Sequence, residues 1–116
     1  MNLYICTMVQ KDSIIALATP SGIGAISVIR ISGEDAIDIL SKFFVPKSGK
    51  LLKNQKTHTI HLGNIINNTQ IIDEVLVSVF KNPRSYTGEN VVEISCHGSS
   101  FIQQEIIQLF LKNGCR

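Results

Sequence analysis

Tryptophan is absent from this chain and aromatic residues make up only 6% of it, so a core must be built mainly from aliphatic side chains. Three cysteines, Cys6, Cys96 and Cys115, are too few and too scattered for a disulfide framework, and with His58, His61 and His97 they show no strong zinc spacing. His58 and His61 stand at an odd separation, which sends them to opposite faces of a regular strand. No apolar run is long enough to span a membrane, and the opening residues 1–9 lack a basic leader and a cleavage signature. A soluble, cytoplasmic protein in a reducing compartment is therefore expected. A dominant charge is also missing: eleven basic residues against nine acidic ones leave a net +2, with no long run of either sign. Lys42, Lys47, Lys50, Lys53 and Lys56 form only a loose basic stretch, read first as a solvated face, with RNA-backbone contact as the weaker alternative. Gly22-Ile23-Gly24 has neither the dinucleotide-binding GxGxxG spacing nor the GxxxxGK[ST] phosphate loop, which argues for a structural turn and against a self-contained GTPase.

What is present suits one compact unit. A length of 116 residues with 44% apolar content supports a modest core, and residues 1–116 are read as a single domain. Strands are expected over residues 14–18 and 25–31, separated by a turn through Thr19, Pro20, Ser21, Gly22 and Gly24. Ser32 and Asp35 offer an approximate capping box for a helix carrying Ala36, Ile37, Leu40 and Phe44, which Pro46 stops. Residues 46–56 then read as a linker. A hairpin follows from strands at 57–65 and 71–80 around Asn67-Asn68, and a last strand at 91–96 leads to an amphipathic helix through Phe101, Ile102, Ile106, Leu109 and Phe110, ending near Gly114. The order ββαββ then βα predicts an α+β, two-layer domain: a mixed β-sheet packed with helices.

Several polar residues sit where chemistry is expected. Glu93 lies inside an apolar strand, where an unpaired carboxylate is costly, and Arg30 lies near the end of another. A buried salt bridge and recognition of ring NH groups are evenly matched readings for them. Ser85, Tyr86, Thr87 and Glu89 surround Gly88 in a polar loop fitted either to close over a flat ligand or simply to support Glu93. Cys96 and His97 are neighbours in a strand and point to opposite faces, which opposes a catalytic pair; His97-Gly98 instead marks a corner with a structural or ligand-facing role. Asp73 and Glu74 also face opposite ways, giving paired-carboxylate catalysis little support, and no catalytic residue or metal ligand is assigned.

Residues 12–22 (DSIIALATPSG), 29–33 (IRISG), 72–77 (IDEVLV) and 85–98 (SYTGENVVEISCHG) together resemble the N-terminal domain of the bacterial and organellar MnmE/TrmE tRNA-modification GTPases, over about residues 12–114. The resemblance implies a tetrahydrofolate-binding, dimerising domain related to folate-dependent aminomethyltransferases. It implies a reduced folate, 5-formyltetrahydrofolate or 5,10-methylenetetrahydrofolate, held by Arg30 and Glu93, with Ser85, Tyr86, Thr87 and Glu89 as further pocket or support residues. It also implies, for the complete system, an MnmG/GidA-type flavoprotein and tRNA as partners in wobble-uridine modification. No nucleotide site and no independent activity are expected of this chain. The sequence departs from the family's Pro-Pro-Gly-x-Gly-Gly form at Pro20-Ser21-Gly22-Ile23-Gly24-Ala25, and Ser99 replaces the usual glycine after His97-Gly98, altering the cap of the final helix. The alternatives are a structural dimerisation module without useful folate affinity and, more remotely, a stand-alone aminomethyltransferase-like enzyme.

Overall fold

A computed structural model describes residues 13–18, 26–83 and 89–116. Its elements run β1 (Ile14–Leu17), β2 (Ile26–Ser32), α1 (Ala36–Ser41), β3 (Phe44–Pro46), a 3-10 turn at Leu52–Asn54, β4 (Thr59–Asn67), β5 (Gln70–Phe80), β6 (Val91–His97) and α2 (Ser100–Leu111). The strands form one six-stranded sheet in the order β1-β2-β6-β5-β4-β3. All five pairings are antiparallel, and an isolated bridge between Ser13 and Cys115 is parallel. The expected two-layer α+β architecture is what forms, with strands paired antiparallel rather than in the mixed sheet expected.

Alternation along the strands sorts side chains between two faces. Ile29 and Ile31 of β2, Val92, Ile94 and Cys96 of β6, and Val75, Val77 and Val79 of β5 turn inward. They meet Ala36, Ile37, Ile39 and Leu40 of α1 and Ile106, Leu109 and Phe110 of α2 in one continuous core. Full burial of each larger aliphatic or aromatic side chain contributes about 1.5–3 kcal/mol, so this face supplies the main driving force. Phe43 meets Phe110 edge-to-face, with ring centroids 5.7 Å apart, and joins the end of α1 to α2. Among the described residues no helix lies over the opposite face, and there Ile14, Ile26, Ile60, Leu62 and Leu76 stand exposed.

Two local expectations are corrected. Ser32 belongs to β2, and the helix starts later with Asp35 at its N-cap, without a side-chain capping bond. Phe44, read as the helix's last apolar position, opens β3 instead, because its ring is buried in the core as its strand pairs with β4. The segment read as a linker therefore begins in this edge strand and contains the 3-10 turn. The 57–80 hairpin is present, with Asn68 in the left-handed region at φ 58°.

Gly33 ends β2 against Ser13. Its φ is 146°, and an added Cβ would lie 2.8 Å from Ser13 Cα, a backbone atom that cannot swing aside. Gly33→Ala is expected to destabilise the fold by about 1–3 kcal/mol, the usual cost of overpacking, read as a lower urea midpoint with an unchanged slope.

Candidate ligand site on the open sheet face

The β2/β6 register sets Arg30 directly opposite Glu93 at the middle of the sheet. Both side chains project from the face that the helices leave open. Arg30 Nε donates to Glu93 Oε2 at 2.9 Å, and Nη2 donates to the same oxygen at 2.6 Å. Because both bonds end on one oxygen, Oε1 and Arg30 Nη1 take no part in the pair. The side chains are 49% and 25% exposed, so water screens the interaction, and pairs of this kind contribute roughly 0–1 kcal/mol to stability. The sequence left an ion pair and ligand recognition equally open. The ion pair is formed, and its geometry holds an acceptor oxygen and a donor nitrogen in fixed orientation beside it.

The surroundings are flat and largely apolar. Ser78 lies across from Glu93 on β5, and the next row toward the end of β6 contains Val28, Ser95 and Leu76. Beyond that row His97 stands opposite Ile26. A charged pair set into such a surface suits an aromatic or heteroaromatic ligand with polar ring atoms, since the ring face covers apolar side chains while its edge meets the charges.

His97 is exposed and Cys96 buried, as the opposite-face argument required. The histidine's partner is Asp73: Nδ1 lies 2.7 Å from Asp73 Oδ1, and the His97 backbone N–H donates to Oδ2 at 2.8 Å. A carboxylate at Nδ1 assigns the ring proton to that nitrogen. Sequence reasoning missed this pair. Each residue was visible, but their meeting follows from the β5/β6 register, in which Leu76 faces Ser95. Ser99 caps α2 by accepting from the Ile102 N–H at 3.1 Å, consistent with the expected effect of serine there.

The remaining site residues divide. Glu89 lies beside a separate cleft at the opposite end of β6, shared with Glu34, Asn82 and Asn90 and lined by neither Arg30 nor Glu93. Asn90 ties that region together, accepting from the Asn82 N–H at 2.9 Å and donating to the Glu34 carbonyl at 3.3 Å. Ser85, Tyr86 and Thr87 lie outside the described residues, as does the turn at 19–25. In the basic stretch, Lys47 pairs with Glu74 at 3.2 Å. Among the described residues no group of three or more His, Cys, Asp and Glu side chains is placed to hold a metal, and no helix is long and apolar enough to cross a membrane.

Burial, followed by the nearby Asp73 charge, pushes the Cys96 thiol up to about 11, and burial alone does the same for Cys115. Both thiols should resist alkylation in the folded protein and react on unfolding, as followed by mass spectrometry. The raised folded values mean that the unfolded thiols ionise first, from about 9. Stability is then fully present below that pH and declines as pH rises toward about 11.

Fold and site together define a two-layer α+β domain whose uncovered sheet face carries a centrally placed Arg–Glu pair. The profile of the family described as "GTP-binding protein TrmE N-terminus" matches residues 13–116, and the chain belongs to that family. It is similar to the tRNA modification GTPase MnmE of Flavobacterium johnsoniae, 62% identical over 109 residues that cover 94% of this chain and 23% of that protein. The MnmE of Christiangramia forsetii is 59% identical over 109 residues, with the same shares covered. That of Bacteroides thetaiotaomicron is 56% identical over 108 residues, covering 92% of this chain and 23% of the relative. The chain thus spans roughly a quarter of the length of these curated relatives.

Proposed function

We propose that this chain is the reduced-folate-binding part of a tRNA wobble-uridine-modifying GTPase, acting in the cytoplasm as a homodimer and a single folding unit. The observation that carries the reading is the Arg30–Glu93 pair on the open face, inside the region matched by the family. The donor set fits the ligand. Glu93 Oε1 accepts from the pterin's ring NH and amino groups, while Arg30 orients the carboxylate and offers its remaining NH groups to the ligand. When bound, the folate supplies a transferable one-carbon unit, and the protein's part is to fix it in place. The GTPase chemistry, an MnmG-type flavoprotein and tRNA belong to the complete system.

Calorimetry with 5-formyltetrahydrofolate tests this reading. Binding by the wild-type chain, lost in folded Arg30→Ala and Glu93→Ala variants, supports it; no binding by a well-folded protein rejects it.

A second reading, a dimerisation module without useful folate affinity, draws on the exposed Ile26, Ile60, Leu62 and Leu76 of the same face. An apolar sheet face of this kind suits burial against a second copy. The same titration separates the two readings.

A further inference from the structure

From Val75 to Phe80, β5 is apolar at every position but one, Ser78. A β-branched side chain would suit that pleated, half-buried surface better than serine does. Val77 and Val79 on either side are buried in the core, so Ser78 projects from the uncovered face, as the exposed Leu76 does. The registers set it directly opposite Glu93 of β6 on one side and Ile60 of β4 on the other. Directly opposed residues have Cβ atoms about 4.5–5.5 Å apart, which brings the hydroxyl within a ring's width of the Glu93 side chain. Yet Glu93 Oε2 bonds Arg30, and Ser78 Oγ has no hydrogen-bond partner among the described residues. The buried side-chain oxygen left without a partner among these residues is that of Ser13, so the Ser78 oxygen is both unpartnered and open to solvent.

Ala16, Arg30, Glu93, Ser78 and Ile60 thus form one line across the sheet, from β1 through β2, β6 and β5 to β4. Its ends are apolar. Its middle presents a donor, an acceptor and a donor in turn: an Arg30 N–H, the Glu93 carboxylate and the Ser78 hydroxyl. The pyrimidinone edge of a reduced pterin carries the complement, an acceptor at N1, donors at the 2-amino group and N3–H, and an acceptor at the 4-oxo group. With the amino group and N3–H on Glu93, one ring acceptor falls toward Arg30 and the other toward Ser78. The edge ends in an acceptor on both sides, so the match holds whichever way round the ring enters. Arg30 and Glu93 by themselves leave the acceptor on the β5 side without a protein donor.

We propose that Ser78 is a further ligand contact on the open face: its hydroxyl donates to N1 or the 4-oxo group of the pterin whose amino and N3–H groups lie on Glu93. This inference rests on the folate reading above, and it extends the site from β2 and β6 onto β5. Recognition of the ring edge then belongs to three neighbouring strands.

The test titrates 5-formyltetrahydrofolate, and 5-formyl-6-methyltetrahydropterin, which keeps the ring and lacks the aminobenzoyl-glutamate tail, into the wild-type chain and three variants. Ser78→Ala should weaken both ligands about 3- to 10-fold, the loss of one hydrogen bond, with a nearly unchanged unfolding midpoint. Ser78→Thr and Ser78→Val share one shape and both suit a strand, but only threonine keeps the hydroxyl. The threonine variant should therefore bind both ligands more tightly than the valine variant by a similar factor. An alanine variant that binds as wild type does, equal affinity of the threonine and valine variants, or a loss that spares the tail-less pterin overturns the Ser78 contact while leaving the Arg30–Glu93 site standing. Failure of both ligands to bind folded wild-type protein overturns the folate reading itself and this inference with it.

Discussion

Phe110→Ala is expected to remove about 3–5 kcal/mol of stability, the range for truncating a buried phenylalanine. The ring is fully buried and is among the largest side chains in the core. It belongs to α2, yet its edge-to-face partner is Phe43, just past α1. The cavity would therefore open where the two helices share the sheet, and neither helix can relax into it without withdrawing from the strands. Domains of ordinary stability have about 5–15 kcal/mol in total, so the variant should be partly unfolded under conditions where the wild-type chain is folded. Chemical denaturation read by circular dichroism checks this. A loss below about 1 kcal/mol would mean that the helices repack far more freely than the shared core suggests.

Glu93→Gln separates binding from folding in the opposite sense. The exposed pair contributes little to stability, so the unfolding midpoint should move only slightly. The carboxylate's charge is the larger matter for a ligand, because a hydrogen bond to a charged group is worth about 1.5–3 kcal/mol against roughly half that for a neutral one. Affinity for 5-formyltetrahydrofolate should fall about 3- to 13-fold in a protein that melts almost as wild type does. Calorimetric titration paired with thermal melting reads both quantities. A large fall in melting temperature with unchanged affinity would assign the pair to structure and reject its role in binding.

The strands of this fold were legible where alternation was long. β5 is eleven residues with Val75, Val77 and Val79 inward, and its hairpin with β4 is marked by consecutive asparagines. β3 was not legible, since three residues ending in proline carry no period, and Phe44 falls by coincidence on the helical spacing of α1. Arg30 and Glu93 announced themselves as charges within apolar strands. Their contact did not, because pairing across sixty-three positions depends on strand order and register, which no local pattern encodes. The same holds for Asp73 and His97, each visible alone and joined only by the β5/β6 pairing.

The place of β6 in the sheet has a consequence for how the chain comes together. It is the last strand in sequence but lies between β2 and β5, which do not pair with each other. Before residues 91–97 arrive, β1–β2 and β3–β4–β5 are two separate ribbons, each with an open edge awaiting the same partner. Synthesis halted short of that strand would leave two sticky borders and no seam, a state prone to pair with neighbouring chains. The Arg30–Glu93 pair crosses the seam, so a molecule gripped by both residues would also clasp the β1–β2 ribbon to the last strand to arrive.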